Sequence, residues 1–161
     1  MKASLLIAVL LLLEVTRLAA QEPAEEASAS ASLRSLSTEG ATVSFGALKD
    51  GDSVPPTFTV IFLISGMGIA PAGSNIDNTG HHHLLIGLTE LPDMDQPLPQ
   101  SQQIRDFGKG QNEVELTLPV GSHSLQLLFA DYAHRPHDPP VMSDKITITV
   151  AADAVQTRED S

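Results

Sequence analysis

Residues 113–130, EVELTLPVGSHSLQLLFA, and residues 145–150, KITITV, decide the fold. Val114, Leu116 and Leu118 alternate with Glu113, Glu115 and Thr117, and Ile146, Ile148 and Val150 alternate with Lys145, Thr147 and Thr149. A period of two sends apolar side chains to one face and polar ones to the other, which marks a strand half-buried against a core. Working outward, residues 43–45, 58–64, 82–88 and 125–130 supply further short apolar runs, set apart by Gly, Pro, Asp and Asn. No helix-period segment follows Gly40. Pro92, Pro97 and Pro99 confine residues 91–107 to an edge strand or a loop, because proline cannot donate to a ladder. The expected fold class is therefore all-β, an antiparallel two-sheet sandwich of the immunoglobulin or fibronectin type. The buried tryptophan and the disulfide of antibody domains are both missing, since the chain has no Trp and no Cys.

Ahead of the domain, Lys2, an apolar run over residues 5–13 and the small-residue exit Leu18, Ala19 and Ala20 have signal-peptide anatomy. The run is far shorter than the ~20 apolar residues a membrane span needs. Residues 1–20 are thus expected to be a signal peptide, and the rest to be exported, periplasmic or extracellular, with no stable membrane insertion after cleavage. Residues 21–39 are rich in Ala, Ser and Glu, bury too little to offset ordering entropy, and read as a disordered stalk. Residues 40–151 are the expected sandwich domain and 152–161 a flexible tail. A secreted domain of this size without cysteine fits a bacterial envelope compartment and a self-sufficient core.

The formal charge is −11, and removing Lys2 and Arg17 together with Glu14 leaves −12 for residues 21–161. Such a chain repels phosphate backbones and anionic headgroups, so nucleic acid is excluded as a partner and cations are favoured. Six aromatic residues, five Phe and one Tyr, are too few for a sugar-stacking platform. No serine or cysteine stands in a legible nucleophile motif beside an oriented base, so no enzyme is expected.

Histidine is the distinctive residue. His81, His82 and His83 begin one strand, with His81 and His83 on one face and His82 on the other. His134 and His137 fall in the loop between the strands near Leu125 and Ile146. In an immunoglobulin-like sandwich this loop and the one before the triplet cluster at one end, and the loop carrying Asp106 is expected to reach the same place. Imidazoles with a carboxylate at a water-accessible tip suit zinc or copper. His81, His83, His134 and His137 are the candidate ligands, with Asp106 and Asp131 either binding the ion or orienting an imidazole. The alternative is a structural hydrogen-bond network that braces polar loops. His82 shares parity with Leu84, Ile86 and Leu88 and reads as capping the core; His123, at the opposite end, reads as buried or capping. Asp93, Asp95 and Asp131 lack the rest of a calcium-loop signature, and Gly108 and Gly110 read as a tight turn.

The runs SGMGIAPAGSNIDNTGHHHLLI, FGKGQNEVELTLPVGSHSLQLLFAD and HRPHDPPVMSDKITITV together resemble the bacterial exported family called domain of unknown function 4399. The resemblance covers residues 40–150 and implies that the triplet, the HxxH loop and the PPV after it form one recurring pattern, with no activity attached. That pattern often has a histidine where this chain has Asp106, and an aspartate where it has Gly87. If that histidine position is a ligand position, Asp106 takes it over with harder character. The expected function is a non-enzymatic exported binding module whose histidine-rich tip holds a transition metal. The alternative is an adhesive module that docks another envelope protein.

Overall fold

The computed structural model describes residues 34–154. The expected signal peptide, residues 21–33 of the expected stalk and residues 155–161 of the tail lie outside them. Among the described residues every regular element is a strand: β1 (Thr42–Phe45), β2 (Ser53–Val54), β3 (Thr57–Ser65), β4 (Gly68–Ile69), β5 (Thr79–Ile86), β6 (Ile104–Asp106), β7 (Glu113–Thr117), β8 (Gly121–Ala130), β9 (Pro136–Met142) and β10 (Ile146–Val150). They form two sheets. The smaller has the order β1-β3-β7, and the larger runs β2-β10-β8-β5-β4, with β6 added to β5 and β9 added to β8.

The period of two explains the core directly. Phe58, Val60 and Phe62 of β3 are buried while Thr57, Ile61 and Leu63 are exposed, and β10 alternates with Ile146, Ile148 and Val150 inside. These inward residues meet Leu84 and Ile86 of β5 and Leu125, Leu127 and Phe129 of β8 in one apolar cluster between the sheets. Each such side chain contributes about 1.5–3 kcal/mol on burial.

Alternation fails in β5, which is buried from Gly80 to Ile86, and in the second half of β8. Both of their faces are covered. The outer face carries a second, smaller cluster of Leu85, Leu128 and Ala130 with Leu98 and Ile104, flanked by Leu88, Met94 and Met142. The proline-rich connection between β5 and β6 thus closes over the large sheet, and only its end, β6, becomes a strand, antiparallel to β5.

Part of the expected stalk, ahead of Gly40, is paired with the large sheet. Residues 34–37 run beside β9: Leu36 bridges Asp138 in parallel, the Ser37 amide donates to the Asp138 carbonyl at 3.0 Å, and the Asp138 amide donates to the Ser35 carbonyl at 2.9 Å. The segment has too few apolar residues to announce itself. It is held by backbone bonds and by Arg34, whose guanidinium donates to the carbonyls of Pro136 and His137.

Candidate metal centre

The register of β5 against its two neighbours builds the site. His81 lies opposite Ala130 and His83 opposite Leu128 on β8, while Asp106 of β6 lies opposite His83 on the other edge. Directly opposite residues on adjacent strands share a face, so the outer face of the large sheet carries His81, His83 and Asp106 together. His134 arrives from the β8–β9 loop, with φ of 61°. Left-handed backbone disfavours a side chain other than glycine, and here Asp131 imposes it. The Asp131 carbonyl accepts the His134 amide at 3.0 Å, the Asp131 amide donates to the Arg135 carbonyl, and Oδ1 accepts the amides of Ala133 and Arg135.

Four donor atoms converge. His81 Nε2 lies 3.1 Å and His83 Nε2 3.3 Å from His134 Nδ1. Asp106 Oδ1 lies 3.3 Å from His81 Nε2 and 3.8 Å from both His83 Nε2 and His134 Nδ1. One ligand atom from each residue falls within 4.8 Å of every other. Bonds of about 2.0–2.1 Å to a tetrahedral zinc ion set its ligands roughly 3.3 Å apart, and the observed separations bracket that edge. Asp106 Oδ1 is buried and has no hydrogen-bond partner, whereas its Oδ2 accepts the Gln100 amide at 3.0 Å. The glycine of the following turn makes room for this carboxylate: a Cβ at Gly108 would stand 3.0 and 3.1 Å from its two oxygens.

His137 and Asp131 do not join the cluster. The His137 ring is buried, stacks on Phe129 and faces the carbonyls of Thr79 and Phe129. The Asp131 carboxylate is spent on the loop amides and on the Ser35 hydroxyl, which donates to Oδ2 at 2.8 Å. The left-handed residue at His134 turns the chain between the two histidines of HxxH, so they face different surroundings. His123 contacts the Pro119 carbonyl at 2.7 Å. His82 goes beyond capping: it is wholly buried between Phe62 and Phe129, and neither ring nitrogen has a hydrogen-bond partner. The tip is also drier than a water-accessible loop cluster, with His81 and His83 at most 1% exposed and solvent reaching the site chiefly at His134, 30% exposed. Gln100 was missed from sequence, since nothing in a polar, proline-rich loop says which amide will meet a carboxylate.

Burial sets the protonation of these rings. It lowers His81 to about 4, with Asp106 drawing the value partly back up and His134 pushing it down. His82 falls to about 4, through burial first and then the neighbouring His81. His83 falls to about 3, through burial, then His81 and His134. All three are neutral at pH 7, the state in which imidazole offers a lone pair. For His81 and His83, competition between protons and a cation therefore moves from the ordinary histidine range near 6.5 down to about 4 and 3.

Because the folded values lie below the unfolded value, the unfolded chain binds protons first as pH falls, so stability is intact above about 6.5 and declines below it. The decline runs to about 4 for His81 and His82 and to about 3 for His83. Each of the three buried rings thus withdraws stability as the pH falls through this window. His82→Leu is expected to flatten the pH dependence by up to one proton between 6.5 and 4. The same change should hold or raise stability at pH 7, since each orphaned buried polar atom costs about 1–3 kcal/mol. Urea unfolding at a series of pH values measures both, and an unchanged slope contradicts the assignment.

The family described as Domain of unknown function (DUF4399) matches residues 60–151. The chain belongs to this family. No curated protein and no solved structure matches it. The DUF4399 region contains all four converging residues, His81, His83, Asp106 and His134, as well as His137 and Asp131. Residues 34–37, β1 and β2 precede it.

Proposed function

We propose that this DUF4399 protein is a non-enzymatic, exported binding module with an immunoglobulin-like sandwich, and that His81, His83, His134 and Asp106 hold one transition-metal ion. The observation that carries this reading is the convergence of three imidazole nitrogens on an unbonded, buried carboxylate oxygen. Three nitrogens and one oxygen at near-tetrahedral spacing favour zinc over copper(II), which prefers a tetragonal set. With four protein donors the coordination is complete, which is the pattern of a structural or storage site and not of a catalytic one that keeps a position open. Gln100 would hold Asp106 to one ligating oxygen, as outer hydrogen bonds do for ligating carboxylates. The signal-peptide anatomy of residues 1–20 supports export, and the acidic charge favours capture of cations.

A second reading draws on the short contacts of His134 Nδ1 with the His81 and His83 rings, which are hydrogen-bond distances. In it the imidazoles only brace the β8–β9 loop, and the module is adhesive. One nitrogen then accepts from two rings while Asp106 Oδ1 stays unpartnered. The two readings separate on the melting of chelator-stripped protein with and without zinc: stabilisation supports the metal site, and an unchanged curve supports the brace.

A further inference from the structure

The loop that carries His134 is gripped from two sides. On one, the Leu98 amide donates to the His134 carbonyl at 2.8 Å. On the other lies the arm formed by residues 34–37, before β1 and outside the DUF4399 match. The Ser35 hydroxyl donates to Asp131 Oδ2, the carboxylate whose other oxygen fixes the turn at His134. Arg34 donates to the carbonyls of Pro136 and His137 and lies 3.6 Å from the carboxylates of Asp95 and Asp138. The arm therefore completes the support of a turn whose left-handed residue supplies one of the four converging donors.

The arm is held by polar groups. It attaches by two backbone hydrogen bonds and side-chain contacts, without a buried apolar anchor: Leu36 is 75% exposed. A cleft of about 370 Å³ opens beside it, lined by Ser35, Leu36, Thr79, Asp131, Tyr132 and His137. Segments with few buried apolar contacts and solvent-reachable hydrogen bonds open at low free energy.

We propose that seating of this arm and binding of a cation at the His81, His83, Asp106 and His134 site are coupled. This rests on the metal reading above. The seated arm holds Asp131, and through it the His134 turn, in the geometry that receives the ion; the bound ion holds the turn, and through it the arm. Such coupling is reciprocal, so the factor by which the arm strengthens cation binding equals the factor by which the cation strengthens seating of the arm. The segment that ties the domain to residues 1–33 would thus report whether the site is loaded.

The test uses zinc as the probe on the intact exported chain. Amide exchange of Ser37 and Asp138, the two amides that pair the arm with β9, is followed by nuclear magnetic resonance with chelator and at zinc saturation. Zinc affinity is measured by calorimetry on the same chain and on the double variant Arg34→Ala, Ser35→Ala. Zinc is expected to slow both amides about fivefold or more, and the double variant to bind zinc weaker by a matching factor. Zinc bound at one ion per chain with unchanged exchange and unchanged variant affinity overturns the coupling and leaves the metal reading standing. Absence of zinc binding in the unaltered chain overturns both.

Discussion

Replacing His83 by alanine is expected to abolish a stabilisation that zinc otherwise confers on the folded chain. At a hundredfold excess over its dissociation constant, an ion that binds only the folded state adds about 2.7 kcal/mol. For a domain of this size that raises the melting temperature by roughly 10 °C. The ion adds this much because the unfolded chain does not hold four donors near one another; the sheet does so through β5–β6 register and the Asp131 turn. His83 is one of those donors, 3.3 Å from His134 Nδ1 and 3.8 Å from Asp106 Oδ1. Without it the ion keeps three donors and the zinc-dependent shift disappears, while the cavity left by the buried ring lowers the melting temperature of the variant equally with chelator and with zinc. A brace without metal gives a different pattern, in which zinc shifts neither the parent nor His83→Ala and the variant's loss of stability is the same with and without chelator.

Gly80→Ala is expected to be the most damaging single-methyl change in the site. A Cβ there would stand 2.3 Å from the Ala130 carbonyl oxygen and 2.9 Å from both the His137 and Phe129 rings. The oxygen belongs to the strand paired with β5 and cannot rotate away, so β5 and β8 must part at the residues next to His81. Overpacking of ordinary side chains costs about 1–3 kcal/mol, and a backbone clash at this distance is expected at or above the top of that range, about 3 kcal/mol. Gly73→Ala is the comparison. Its Cβ would meet nothing within 4 Å and carries only the strain of φ near 82°, about 1 kcal/mol. Urea midpoints of the two variants measure the difference, and Gly80→Ala should in addition weaken zinc binding. Equal midpoints would contradict the account of this contact.

Much of the architecture was legible because alternation is a local property. Val114, Leu116 and Leu118, or Ile146, Ile148 and Val150, announce a strand and its buried face without help from the rest of the chain. The parity of the triplet likewise separated His82 from His81 and His83. What the pattern could not show is the second layer over β5. Leu98 and Ile104 sit in a stretch broken by prolines, and only the folded chain brings them onto Leu85, Leu128 and Ala130. That cover dries the outer face and lowers the His81 and His83 pKa values. The HxxH spacing was ambiguous for a related reason: sequence separation does not fix direction across a turn, and the left-handed His134 sends His137 against Phe129. Asp131 is acidic and close by, but its oxygens are occupied by amides and a hydroxyl, a fact of hydrogen bonding that no composition reveals.

Zinc K-edge X-ray absorption on protein loaded with one equivalent of zinc tests the central geometry most directly. Four nitrogen or oxygen neighbours at about 2.0–2.1 Å, with the outer-shell scattering of three imidazoles and no sulfur, are expected. A six-coordinate, water-dominated spectrum, or zinc seen with one imidazole or none, would contradict a common centre for His81, His83, His134 and Asp106.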